Sequence, residues 1–301
     1  MGKASRVKRE SARERIAAQR AAERRRERRN RIFIAGGSIL GVVVIVVAFL
    51  VIRAFTGNSA SASAGASSPT GATLPASVIK DVSTVPSATL TSIGAGTAYA
   101  KSVSAVSAPP LTSAGKPEVL YIGAEYCPYC ATERWAMAVA LSRFGTFSGL
   151  HGIKSDASDV YPNTPTLTFY KSSYTSKYLT FSSVEEQTVS KATLQTPSKA
   201  QQALITKYDY PPYVSQTEEG AIPFIDFGGK YLVHGAQYDP QLLAGQSWAQ
   251  VAAALQNPSS SIAKGADGAA NMITATICKI TNNQPASVCT SPAIKTMEGQ
   301  L

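Results

Sequence analysis

The stretch Val119-Leu120-Tyr121-Ile122-Gly123-Ala124-Glu125-Tyr126-Cys127-Pro128-Tyr129-Cys130, followed directly by ATERWAMAVALSRFG (131–145), decides how this chain is read. Val119–Ile122 is β-branched and aromatic, opens after Gly115-Lys116-Pro117, and predicts a buried strand. Residues 131–145 carry apolar side chains at helical spacing, with Trp135 and Val139 on one side and Ala138 and Leu141 alongside. Pro128 suits the first helical turn, where its missing N–H would be unbonded in any case. Cys127 then falls at the N-cap, facing free backbone N–H groups and the positive end of the helix dipole.

That placement has chemical consequences. The thiolate is the nucleophile in thiol chemistry, and a helix N-terminus stabilises it. Cys127 is the candidate attacking or attacked sulfur. Cys130, one turn further in, is the candidate resolving sulfur of a mixed disulfide. Half a zinc site is the competing reading, and it needs a second ligand pair at metal spacing. Cys278 and Cys289 enclose ten residues, and His151 and His234 stand apart, so no metal is expected. No phosphate-binding glycine loop or Ser/His/Asp order is present either, and no cofactor is implied.

Strand, Cys-Pro-Tyr-Cys and helix together resemble the thioredoxin-like superfamily, and the Pro-Tyr dipeptide is the one typical of glutaredoxins. The segments GKPEVLYIGAEYCPYCATERWAMAVALSRFGTFSGL (115–150), YPNTPTLTFY (161–170), SSYTSKYLTF (172–181) and AIPFIDFGGKYLVHGA (221–236) are similar to an uncharacterised prokaryotic family of membrane-anchored thioredoxin-like proteins, a domain of unknown function. The resemblance runs from about residue 84 to about 292. It implies an α/β, thioredoxin-like fold and thiol–disulfide exchange, and it supplies no substrate.

The same resemblance implies a cis-proline loop opposite the cysteines, ahead of an antiparallel hairpin and a closing helix. Two prolines compete. Ile222-Pro223 precedes FIDF (224–227), a Gly228-Gly229-Lys230 turn, YLVHG (231–235) and a helix over QLLAGQSWAQVAAAL (241–255), which is the required order. Thr164-Pro165 precedes TLTFY (166–170), but a polar SSYTS connection follows it instead of a helix. Element order favours Pro223. The backbone of Ile222 is then the expected docking point for an incoming peptide strand.

Between these two halves the chain is longer than a minimal thioredoxin. Strands are expected at Gly149–Lys154, Leu167–Tyr170 and Tyr178–Phe181, with a helix at Ser198–Tyr208, and together these read as an insertion. Glu125 could assist proton transfer or be a solvated loop carboxylate. Arg134 could help the thiolate, although a mid-helix arginine more often pairs with a surface acid. Trp135 and Trp248 are expected in the core.

The N-terminal end reads as an address. Ile32–Ile52 are 21 residues without a charge. As a helix they span about 30 Å, the thickness of a bilayer's hydrocarbon core. Residues 1–31 hold 13 of the 29 Lys/Arg and 4 of the 19 Asp/Glu, so +9 of the chain's +10 lies in this tail. Arg53 alone is basic on the other flank, which puts the N-terminus in the cytoplasm and everything beyond residue 53 outside. Over 54–301 the chain carries 15 charges of each sign, so no basic nucleic-acid-binding domain is expected. The tail is expected to set topology and to meet anionic lipid headgroups. NSASASAGASSPTGATLP (58–75) has no charge and little to bury, and reads as a flexible spacer.

The expected organisation is therefore a basic tail (1–31), a transmembrane helix (32–52), a linker (53–85) and an extracytoplasmic domain (86–301) in the cell membrane. Outside the membrane, Cys278 and Cys289 read as a structural disulfide, with a second redox relay as the sharper alternative. The expected activity is that of a thiol–disulfide oxidoreductase through Cys127, Cys130 and Pro223. Its partners would be exported protein thiols or disulfides and a membrane redox partner. The alternative is a non-catalytic thioredoxin-like binding module that presents a groove near Pro223.

Overall fold

A computed structural model describes residues 71–301. In chain order its elements are strand β1 (Ala72–Thr73), helices α1 (Ala76–Ser83) and α2 (Ser87–Ile93), and strands β2 (Val103–Ala105), β3 (Thr112–Ser113) and β4 (Lys116–Gly123). Helix α3 (Pro128–Ser142) follows, and then strands β5 (Gly145–Ser148), β6 (His151–Lys154), β7 (Pro165–Thr168), β8 (Ser173–Ser176) and β9 (Thr180–Glu185). Helix α4 (Lys199–Tyr208) and the hairpin β10 (Phe224–Phe227) and β11 (Tyr231–His234) come next. A 3₁₀ turn at Pro240–Leu243 leads to helices α5 (Trp248–Leu255), α6 (Ser261–Ile280), α7 (Ala286–Cys289) and α8 (Pro292–Glu298). The protein is thus mixed α/β with several sheets.

The main sheet runs β2-β11-β10-β4-β3, with β9 pairing β4 in parallel on its other side. β4 alternates its side chains between two cores, as the period of two requires. Val119 and Tyr121 join Ile225, Phe227 and Val233 in a core shared with α3, α5 and α6. Leu120 and Ile122 join Phe224, Leu232, Ile205 and Tyr208 in a smaller core under α4. A strand covered on both faces reads as a continuous apolar run, which is why Val119–Ile122 shows no polar alternation. The β10–β11 turn uses Gly228 and Gly229 at φ 65° and 70°. A Cβ on Gly229 would stand 2.3 Å from the Pro109 carbonyl oxygen.

Helix α3 is enclosed from Cys130 through Leu141, every residue being buried. One side meets the sheet and the other meets α6, whose small residues permit close approach. Gly268 of α6 instead admits the loop after α2, since a Cβ there would lie 2.3 Å from the Ala95 carbonyl oxygen. The disulfide Cys278–Cys289 ties the end of α6 to α7, with Cα atoms 5.6 Å apart.

Several expectations need correction. The folded part does not start near residue 85: α1 already buries Val78 and Val82 at 1% exposure, so part of the expected linker belongs to the core. The SSYTS connection is itself a strand, β8, paired antiparallel with β5. The expected helix over 241–255 is broken, because Gly245 takes φ 71° and Ser247 forms a capping box with Gln250 that restarts the chain as α5. Among the described residues no helix is long and apolar enough to cross a membrane. The tail at 1–31, the expected span at 32–52 and the linker up to residue 70 lie outside the described residues.

Candidate functional site

Cys127 is the N-cap of α3, with φ −76° and ψ 122°, and Pro128 sits in the first turn. The Cys130 backbone N–H donates to Cys127 Sγ at 3.2 Å. The Cys127 thiol in turn donates to the Ile222 carbonyl oxygen at 3.6 Å, a contact between residues 95 apart in sequence. Ile222–Pro223 is cis; Thr164–Pro165 is not among the cis bonds, and Pro165 instead heads β7. The structure therefore brings together Cys127, Cys130, Ile222 and Pro223. Both cysteines are free thiols, with Cys127 at 4% and Cys130 at 0% exposure.

The two sulfurs have opposite electrostatic settings. Hydrogen bonding from Cys130 holds the Cys127 thiol below the ordinary range, helped by backbone N–H groups and Arg134 and opposed by burial. Burial pushes the Cys130 thiol well up, and proximity to the Cys127 sulfur adds to the rise. Such a split favours ionisation of Cys127 before Cys130. Tyr129, between them in sequence, is 40% exposed and packs edge-on against Tyr161 at 5.8 Å.

Behind the sulfurs lies an ion pair. Arg134, fully buried, donates from Nε to Glu185 Oε1 at 2.8 Å and from Nη2 to Glu185 Oε2 at 2.6 Å. Nη2 also donates to the Ala124 carbonyl oxygen at 2.7 Å. This corrects the expectation of a surface partner: both side chains have 0% exposure. The guanidinium carbon stands 5.8 Å from the ring centre of Tyr121, whose hydroxyl has no hydrogen-bond partner. Glu125 is not a solvated loop carboxylate. It is 5% exposed and accepts from Thr168 Oγ1 at 2.8 Å, and burial pushes its carboxyl up.

Sequence reasoning missed Glu133 and Glu185. Burial pushes the Glu133 carboxyl up to about 8. Its Oε2 accepts from the Gln237 backbone N–H at 3.0 Å, while Oε1 has no partner. The available signal was Glu133-Arg134 inside an otherwise apolar helix, since charges there must face each other or another buried group. Trp135 is fully buried and donates to the Pro165 carbonyl at 2.9 Å. Trp248 is only partly buried, and its Nε1 is shared between Ile153 and Thr166 carbonyls.

Beside Ile222 opens a cavity of about 510 Å³, lined in part by Lys101, Tyr213, Glu218, Ala221, His234 and Gly235. His234 donates to the Tyr208 carbonyl at 3.0 Å and lies 3.7 Å from Asp209 Oδ1, so it ties the end of α4 to β11. Cys278 and Cys289 lie apart in the corner between α6 and α7. Among the described residues no group of three or more His, Cys, Asp or Glu side chains could hold a metal ion.

Fold and site together define a mixed α/β protein with a Cys-x-x-C pair at a helix N-cap. The family model described as a domain of unknown function (DUF929) matches residues 102–279, more than half of the chain, and the chain belongs to that family. Neither a curated protein nor a solved structure gives a match.

Proposed function

We propose that this chain is a thioredoxin-like thiol–disulfide oxidoreductase, anchored in the cell membrane by 32–52 and acting outside the cytoplasm on exported proteins. The observation that carries the reading is the Cys127 sulfur itself. It accepts the Cys130 N–H at a helix N-cap while its thiol faces the Ile222 carbonyl of a cis-proline loop. The order β4, α3, β9, then the β10–β11 hairpin led by Pro223 also fits the thioredoxin-like arrangement, with β5–β8 and α4 as the insertion.

In the reducing direction, the Cys127 thiolate attacks a disulfide of the substrate. A Cys127–substrate bond forms, and the departing sulfur leaves as a thiolate that takes a proton from solvent. Cys130 loses its proton and attacks Cys127 Sγ. The Cys127–Cys130 disulfide forms, and the second substrate sulfur leaves. Two electrons have then passed from the cysteine pair to the substrate. Run backwards, the same two steps oxidise a substrate dithiol, and a membrane redox partner resets the pair. Ile222 offers its backbone to the substrate strand beside the sulfur, and Pro223 keeps an N–H donor away from it. The chemistry uses the two sulfurs and no metal or nucleotide. Cys278–Cys289 serves as a structural tie, and the basic tail sets topology against anionic lipid.

Replacing Cys130 by Ala removes the resolving step. The Cys130→Ala chain, expressed in its membrane, is expected to accumulate mixed disulfides through Cys127 with exported proteins, recovered as reducible adducts and identified by mass spectrometry. The cavity beside Ile222 favours the second reading, a binding module. Under that reading partners are retained without any covalent adduct, and a Cys127→Ala change leaves retention intact. Absence of adducts together with absence of insulin-reducing activity sinks the oxidoreductase reading.

A further inference from the structure

We propose that the buried Arg134–Glu185 pair governs the resolving sulfur: Arg134 is the positioning residue that holds the Cys130 thiolate, and Glu185 limits how strongly it does so. The proposal rests on the thiol–disulfide reading above and adds to it the device that times the second step.

The geometry is local and closed to water. Arg134 follows Cys130 by four residues on α3, which places the two side chains on one face of the helix. Both are fully buried, as is Glu185 at the end of β9. Two of the guanidinium nitrogens are committed, Nε to Glu185 and Nη2 to Glu185 and the Ala124 carbonyl. Nη1 is buried and has no partner. Arg134 and the Ala124 backbone both favour the Cys130 thiolate, and Arg134 Nη2 donates to the Ala124 carbonyl. A donor without a partner in a buried site is costly unless some state of the protein uses it. The Cys130 thiolate, formed once Cys127 is bound to substrate, supplies a negative acceptor for that cation.

Other ionisable groups act on the same sulfur. Tyr121 on β4 and Tyr126 in the following loop feel both cysteines, Glu125 feels the Arg134–Glu185 pair, and Cys127 is the nearest negative charge when ionised. In the mixed disulfide Cys127 carries no charge, which removes the strongest repulsion. The balance then falls to Arg134, which favours the thiolate, and Glu185, which opposes it. A single buried arginine would be expensive to keep, and its carboxylate partner offsets that cost while weakening its hold on the sulfur.

The test uses the full chain in detergent and the aromatic disulfide 5,5′-dithiobis(2-nitrobenzoate) as probe. Cys127 attacks the probe and releases one nitrothiobenzoate. Cys130 then loses its proton to buffer, attacks Cys127 Sγ and releases the second, so the two steps appear as two coloured phases. The rate of the second phase is followed against pH. Glu185→Gln keeps the shape and an acceptor for Arg134 but removes the opposing charge. It is expected to lower the midpoint of the second phase by about one pH unit. The net acceleration below the midpoint is then roughly threefold, because a less basic thiolate is also less nucleophilic. Arg134→Gln is expected to move the midpoint upward. If Arg134→Gln alone does not fold, the uncharged double variant with Glu185→Gln takes its place, also with a midpoint above wild type.

Opposite shifts from the two variants support the proposal, since a merely structural role slows both. Shifts in one direction, or an unmoved midpoint in Glu185→Gln, overturn it. A wild-type chain with no second phase refutes the oxidoreductase reading. Two wild-type phases with unmoved variants refute only the role of the pair.

Discussion

Glu133 sits in the most enclosed helix of the fold, and its carboxyl is pushed up to about 8 by burial from an ordinary 4.5. Between those values the folded chain keeps a proton that the unfolded chain has released. The contribution is therefore fully present below about 4.5 and is lost as pH rises towards 8. Each pH unit in this window costs up to about 1.4 kcal/mol, so stability is expected to fall by about 2–3 kcal/mol between pH 5 and pH 7 from this residue alone. Glu133→Gln removes the ionisation and keeps an acceptor for the Gln237 backbone N–H. Urea unfolding at several pH values, followed by fluorescence of the buried Trp135, should give a steep decline for wild type and a shallower one for the variant. Asp267, pushed up to about 8, and Asp209, to about 7, also bury their carboxyls, so some slope persists in the variant. The difference between the two slopes is the measure. Equal slopes would refute the reasoning, and so would a variant less stable than wild type at pH 8.

Two other outcomes follow from the packing. Removing the Cys278–Cys289 disulfide by double replacement with Ser should lower stability by about 2–3 kcal/mol in denaturant titrations, from loop entropy over a separation of 11 residues. It should leave trapping by Cys127 unchanged, whereas a relay would abolish turnover. Leu90→Ala should cost about 2–5 kcal/mol, because Leu90 in α2 is 2% exposed within the main core. No change on thermal unfolding would show that α2 adds nothing to the core.

The parts of the fold legible in the sequence are those where pattern and punctuation coincide. Val119–Ile122 and Cys127-Pro128 announce a strand, a turn and a helix start within a dozen residues, and the Gly228-Gly229 turn joins two strands of equal length. Ser198 and Gln201 spell a capping box at the start of α4. Less legible was whatever depended on distant partners. Nothing near Arg134 indicates that its acid lies 51 residues away, because β9 is delivered beside β4 by a parallel crossover. Helices α1 and α2 are rich in Ser, Thr and Ala and resemble the spacer before them. They are held by a few buried residues such as Val78, Val82 and Leu90. Polar SSYTS looked like a loop because its strand partner, β5, is half exposed and offers little apolar pattern.

The enclosure of α3 also sets a limit on what can reach the sulfur at its tip. Cys127 caps that helix with its thiol against the Ile222 carbonyl. Only 4% of its surface faces solvent. Under the proposed thiol–disulfide exchange, a target disulfide has to come to the sulfur itself and meet it beside the Ile222 carbonyl. On that proposal, the accessibility of the target bond would select substrates before any side chain beside it is read.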